Sequence, residues 1–138
     1  MNENSNLINL EIVSEDGKVI SLQVEDIYVQ IKEYGIMGFL KDCAPFIGII
    51  DISSFYVSLN RKKKYFAISG GIIDVRKDKT IILADTFESE DEIDKDRAQK
   101  EKDNALNKMK EIEKSDEFTY KTLEFSLKKA INRLNLNK

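Results

Sequence analysis

The chain has 138 residues, with 22 lysines and arginines against 25 aspartates and glutamates, no histidine and one cysteine. This length holds one small globular domain, or a domain of about 85 residues with an appendage. The net charge of −3 argues against nucleic acid as a partner, because neutralising phosphates needs a basic excess. Without histidine there is no Ser-His or Cys-His nucleophile pair and no histidine-based zinc site. No Gly-x-x-x-x-Gly-Lys phosphate loop occurs either, so the chain reads as a non-enzyme with no catalytic and no metal residues. No apolar run approaches the roughly 18 residues of a membrane span, and the opening residues do not read as a signal peptide. Cys43 cannot form an internal disulfide and fits a reducing compartment.

Up to Thr86 the chain alternates with period two. Leu10 and Ile12 flank Glu11; Ile20, Leu22 and Val24 alternate with Ser21, Gln23 and Glu25; Ile27, Val29 and Ile31 alternate with Tyr28, Gln30 and Lys32. Phe55, Val57, Leu59, Tyr65 and Ala67 continue the pattern. Ile73 and Val75 are expected to meet Ile81 and Leu83 across the turn Lys77-Asp78-Lys79. Many short alternating strands predict an antiparallel β-sandwich or barrel. Gly17, Gly35, Gly38 and the pair Gly70-Gly71 read as turn glycines with positive φ, the pair separating two strands within residues 67–75. Lys62-Lys63-Lys64-Tyr65-Phe66 is the only hint of a basic aromatic groove for single strands, and residues 61–64 read better as the basic turn of a hairpin.

After Thr86 the period changes. Ser89-x-x-Glu92 has the form of a capping box, with Glu90, Asp91, Asp94 and Asp96 in the expected first turns, where the helix dipole favours acids. Ala98, Ala105, Met109 and Ile112 form a thin stripe, widened by Leu106. Lys114-Ser115-Asp116 breaks the pattern and offers a new N-cap, and Leu123, Leu127, Ala130, Ile131 and Leu134 share one face of a second helix. The prediction is an antiparallel two-helix hairpin over residues 87–138, following a sandwich over residues 1–86. So thin a stripe buries little, at about 0.8 kcal/mol per CH₂, and its docking on the sandwich is expected to be marginal.

Two stretches together carry a resemblance. Ala67-Ile68-Ser69-Gly70-Gly71-Ile72-Ile73-Asp74-Val75, followed about two dozen residues later by Ile93-Asp94-Lys95-Asp96-Arg97-Ala98, resembles the epsilon subunit of bacterial F-type ATP synthases. The likeness runs from about Leu10 to Leu134. Gly38, Leu40, Ala44 and Pro45 agree with that family's mid-chain loop, whereas Lys41, Asp42 and Cys43 replace its proline, glycine and histidine, and Ile36 replaces an acid.

The resemblance implies a central-stalk subunit without catalysis of its own. Its sandwich would hold the gamma subunit and rest on the membrane c-ring. Its hairpin would lie on the sandwich or extend toward the alpha and beta subunits of the catalytic head, inhibiting ATP hydrolysis. It also implies a peripheral place on the cytoplasmic face of the bacterial plasma membrane. ATP is the implied regulatory ligand and no cofactor is required. The candidate ATP site consists of Glu88, Ile93, Asp94, Arg97, Ala98, Lys129 and Arg133, with Asn104 standing where the family has a further arginine. Arg97, Lys129 and Arg133 would meet phosphates. Asp94 would accept from the adenine amino group or ribose hydroxyls, or lock Arg97 at i,i+3. Taken alone, Asp94 and Arg97 read better as an exposed surface ion pair, a common arrangement worth a few tenths of a kcal/mol. A free-standing ATP-sensing or adaptor protein of the same build is the alternative.

Overall fold

The computed structural model describes residues 6–111 and 117–136. Eight strands precede two helices: β1 Ile8–Ser14, β2 Val19–Val24, β3 Asp26–Ile31, β4 Gly35–Leu40, β5 Phe46–Leu59, β6 Lys62–Val75, β7 Lys79–Ala84, β8 Phe87–Ser89, α1 Lys95–Glu111 and α2 Glu117–Leu134. The expected sandwich followed by a helical hairpin is thus what the chain forms. Ile112 of the expected stripe and the expected break at residues 114–116 lie outside the described residues.

The strands run in the order β2-β1-β7-β6-β5-β3-β4, with β8 added to β6. Their pairings are antiparallel except that of β1 with β7, which is parallel. Alternation reports faces and not directions, so this pair was not visible in the sequence. The two 14-residue strands β5 and β6 form a long hairpin that serves both layers. Its two-residue turn, Asn60-Arg61, has φ of 50° and 65°, the positive values that match the twist of a tight hairpin. Near that turn β5 pairs with β3; farther along, β6 leaves β8 and pairs with β7.

The core fills the space between the layers. Leu10, Ile12, Val24, Ile27, Val29, Ile31, Phe55, Val57, Phe66, Ile68, Ile73 and Ile82 are all buried. Phe55 and Phe66, direct cross-strand partners, stack with centroids 4.9 Å apart.

Four local expectations are corrected. Ile73 and Val75 face Ile82 and Thr80, not Ile81 and Leu83. Ile81-Ile82-Leu83 is apolar in both phases, so alternation could not select the inward one; the β6 register does. Gly70-Gly71 is not a turn between strands but a bend inside β6. Gly38 lies within β4 without positive φ, and its place there is one of close packing: an added Cβ would stand 2.5 Å from the Tyr28 ring. Finally, β8 belongs to the sheet although it follows Thr86: Phe87 is buried, and residues 87–89 pair with 66–68.

Gly71 has a specific packing reason. A Cβ there would meet the Leu83 carbonyl oxygen at 2.2 Å and the Ala84 Cα at 2.9 Å, both backbone atoms that cannot swing aside. Gly71→Ala should therefore cost about 3 kcal/mol of unfolding free energy by forcing β6 and β7 apart. Urea titration followed by circular dichroism measures it; a loss under half that size would show that the bend can shift.

Candidate functional site

Over residues 66–68 the β6 strand buries both faces. Phe66 and Ile68 point into the sandwich, while Ala67 and Ser69 alternate to the other side and form the floor of a cleft of about 750 Å³. Residues 86–88 make one wall, and the two helices make the others. The helices meet through small side chains: Ala98, Ala105 and Ala130 are fully or almost fully buried, letting the backbones approach. Leu106 does not widen the stripe and is exposed. Helix α2 is tied to the sheet by the Asn132 side chain, whose Nδ2 donates to the Ser53 carbonyl at 2.6 Å.

The linker between β8 and α1 is built differently from the sequence expectation. Ser89 Oγ donates to Glu92 Oε1 at 3.1 Å and Glu92 N donates to the Ser89 carbonyl at 3.0 Å, so this box closes a turn rather than a helix. The helix starts later. Asp94 is its N-cap: Oδ1 accepts from Arg97 N at 3.0 Å, and the Asp94 carbonyl accepts from Ala98 N at 3.0 Å. Glu90 and Asp91 therefore lie before the helix, and Asp96 alone is an acid of its first turn. Asp94 reaches the backbone of Arg97, and the expected side-chain ion pair between them is absent from the described contacts. Arg97 instead gives Nε to Glu101 at 3.1 Å.

Lys18, at the β1–β2 turn, pins this linker. Its ammonium pairs with Glu92, donates to the Phe87 carbonyl at 3.2 Å and lies 4.7 Å from the centre of the Phe87 ring.

Of the seven candidate residues, Glu88, Arg97, Lys129 and Arg133 line the cleft; Ile93, Asp94 and Ala98 do not. Ile93 is half-buried before the helix, Asp94 caps it, and Ala98 is packed in the hairpin. Arg133 connects three elements. Nη2 meets Glu88 of β8 at 2.5 Å, Nη1 meets Glu101 of α1 at 2.8 Å, and Nε is buried without a partner among the described residues. Lys129 Nζ lies 4.6 Å from the centre of the Phe125 ring.

The sequence reading missed Lys18, Glu101 and Lys108 as lining residues. Glu101 and Lys108 were legible as the same α1 face as Arg97 and Ala105, at steps of four and seven; Lys18 is separated from the rest by the whole sandwich. The cleft carries five basic and four acidic side chains, and most of the cations already have a carboxylate partner. No group of three or more metal-ligating side chains occurs among the described residues.

A sandwich with a helical hairpin folded back over it, and a mixed-charge cleft between them, defines the class as a two-part chain of β-sandwich and helical hairpin. Family profiles narrow this. Residues 7–90 match the beta-sandwich domain of the ATP synthase delta/epsilon chain, and residues 91–137 match its long alpha-helix domain. The chain belongs to the ATP synthase delta/epsilon chain family. Its likeness within that family is to bacterial epsilon chains. It is 35% identical over 128 residues to the ATP synthase epsilon chain of Bacillus cytotoxicus, covering 93% of this chain and 94% of the relative. It is 32% identical over 130 residues to that of Nitratidesulfovibrio vulgaris, with 94% coverage of each. A chain in the Euglena gracilis mitochondrial ATP synthase structure shares the fold, with a TM-score of 0.77 at 23% identity, covering 92% of this chain and 79% of that one.

The Lys18–Glu92 pair gives a pH-dependent readout of the linker. The Glu92 carboxyl is held below its ordinary value of 4.5, first by the hydrogen bond from Lys18, with help from Ser89 and against partial desolvation. A depressed folded value means the contribution is complete above 4.5 and is lost as the pH falls through the lower, folded value. The Glu92 side chain is 41% exposed, so solvent screening limits the effect to about 0.5 kcal/mol. Glu92→Gln should be less stable than wild type by that amount at pH 7, with the difference vanishing well below pH 4.5. Paired urea titrations at the two pH values check it, and a constant difference would assign the effect to packing.

Proposed function

We propose that this chain is a non-catalytic central-stalk subunit of an F-type ATP synthase that couples the rotor to the membrane c-ring and restrains ATP hydrolysis. ATP, bound in the cleft between the hairpin and the sandwich, is its regulatory ligand. One observation carries the ligand reading: Arg97 and Lys108 from α1 and Lys129 and Arg133 from α2 line one cavity. Its volume, about 750 Å³, is in the range of small-molecule sites. Because the cations come from both helices, a polyanion gains its full set of partners only when the hairpin is folded. Binding then selects the compact form through differential affinity.

The sandwich offers a separate surface for the gamma subunit. Ile49, Ile72 and Leu83 are neighbours across β5, β6 and β7, and the row continues through Val13 on β1 to Val19 on β2. Ile49, Ile72, Leu83 and Val19 are exposed, with Ile47 beside them. A contiguous apolar row across five strands on an outer sheet face is the kind of patch that partner surfaces cover. The c-ring contact falls to the end of the sheet where β4 leads into residues 41–45. Leu40 of β4 is exposed there, and Ile36, at the opposite end of the same strand, is exposed as well, while Cys43 packs against the core. Only residues 41–45 of the expected loop are outside a strand.

An extended hairpin would reach the alpha and beta subunits of the catalytic head. No described helix is long and apolar enough to cross a membrane, and the attachment we assign is peripheral, at the cytoplasmic face.

Isothermal titration tests the ligand reading. Arg133→Ala should weaken ATP binding by about 2 kcal/mol, since it removes a largely buried charged donor. Arg97→Ala should cost about 1 kcal/mol, because its side chain is 70% exposed. A wild type that takes up no ATP at millimolar concentration ends the reading.

The partner face is tested separately. Ile72→Asp puts a charge in the middle of the apolar row and should abolish co-purification with gamma, while ATP titration of the isolated chain stays as in wild type. Retained gamma binding would move the interface elsewhere on the sandwich.

A further inference from the structure

The ion pairs inside the cleft do more than offset charge. Glu101 uses both carboxylate oxygens, on two different helices: Oε1 accepts from Arg97 Nε at 3.1 Å, and Oε2 accepts from Arg133 Nη1 at 2.8 Å. A two-oxygen anion held between two guanidinium groups is the arrangement that a phosphate would also adopt with them. Arg133 does not depend on this contact for its position, because Glu88 holds Nη2 from the strand side. Its Nε is a further donor, buried and without a partner among the described residues.

We propose that Glu101 sets the affinity of the cleft. Its carboxylate is an internal stand-in for phosphate that clasps α1 to α2 when no nucleotide is present, and it must be displaced for a nucleotide to bind. This rests on the reading of the cleft as a nucleotide site. Glu88 orients Arg133, whereas Glu101 occupies it. The clasp lowers apparent affinity, because a ligand gains its contacts to Arg97 and Arg133 only after the existing ones are broken. It also gives the folded hairpin a stability that does not depend on ligand, which the thin apolar stripe of α1, with Ala98 and Ala105 as its buried residues, supplies poorly. Two consequences of opposite sign follow from one side chain: removing its charge strengthens nucleotide binding and loosens the empty hairpin.

The test uses the full chain and the near-isosteric variant Glu101→Gln. Titration with ATP, and with inorganic pyrophosphate as a base-free probe, should show the variant binding both about fivefold more tightly than wild type, as expected for release of one partly exposed charged contact. Hydrogen exchange of the α2 amides without nucleotide should be faster in the variant, and saturating ATP should restore wild-type protection. Asp103→Asn removes an exposed acid of the same helix that contacts Gln99 and should change the affinity by less than about twofold. If wild type binds ATP and Glu101→Gln binds it equally or less well, the clasp is wrong and the nucleotide site stands. An equal gain in Asp103→Asn would reduce the effect to general charge and also overturn the proposal. Unchanged exchange of empty α2 would remove the clasp. Absence of ATP and pyrophosphate binding by both proteins would end the nucleotide reading and this inference with it.

Discussion

Strand β6 must pass its neighbours at backbone contact distance, and everything downstream relies on that. Gly70 and Gly71 let the strand bend where it changes partners, from β8 to β7, with Gly70 at a φ of 98° and Gly71 against the Leu83 carbonyl. The same strand then presents Phe66 and Ile68 to the sandwich core and Ala67 and Ser69 to the helices. A side chain at position 71 would separate β7, and with it β1 and β2, from the layer that supports the hairpin. The small residue Ala67 on the outward face leaves room for the cleft.

The hairpin is held by different physics. Its apolar contribution is slight, with three buried alanines in the two helices and Leu136 just beyond them. Polar contacts do much of the positioning: Asn132 on the Ser53 carbonyl, Arg133 between Glu88 and Glu101, and Lys18 on the linker before α1. Contacts of this kind are individually weak at a solvated surface and compete with other ions. A hairpin fixed mainly by ion pairs and hydrogen bonds can be released at far smaller cost than one fixed by a deep apolar core.

Two surfaces of one sandwich consequently have distinct characters. The face under the helices is polar and mixed in charge, whereas the outer face carries the row from Val19 to Ile49 across five strands. None of the residues of that row lines the cleft.

The sequence by itself determined the class of each half. Period two from Leu10 to Val75 specifies buried faces of strands, and the stripes of Ala98, Ala105, Leu127 and Ala130 specify helices, because side-chain burial is the dominant energy and repeats with the geometry of the backbone. Of the motif at residues 93–98 only Arg97 lines the cleft, together with Lys129 and Arg133 from the second helix. What only the tertiary structure decided was pairing and partnership. The inward phase of Ile81-Ile82-Leu83 is undetermined locally, since all three are apolar, and is fixed by the register with β6. The parallel β1–β7 pair and the Gly70-Gly71 bend depend on strands distant in sequence. Asp94 looked like a partner of the Arg97 guanidinium and proved to be the helix cap, because the nearest backbone donor is a closer claim on its carboxylate than a long exposed side chain. Lys18 entered the cleft through folding alone: a charge on a hairpin turn has no readable partner until the chain brings one within about 3 Å.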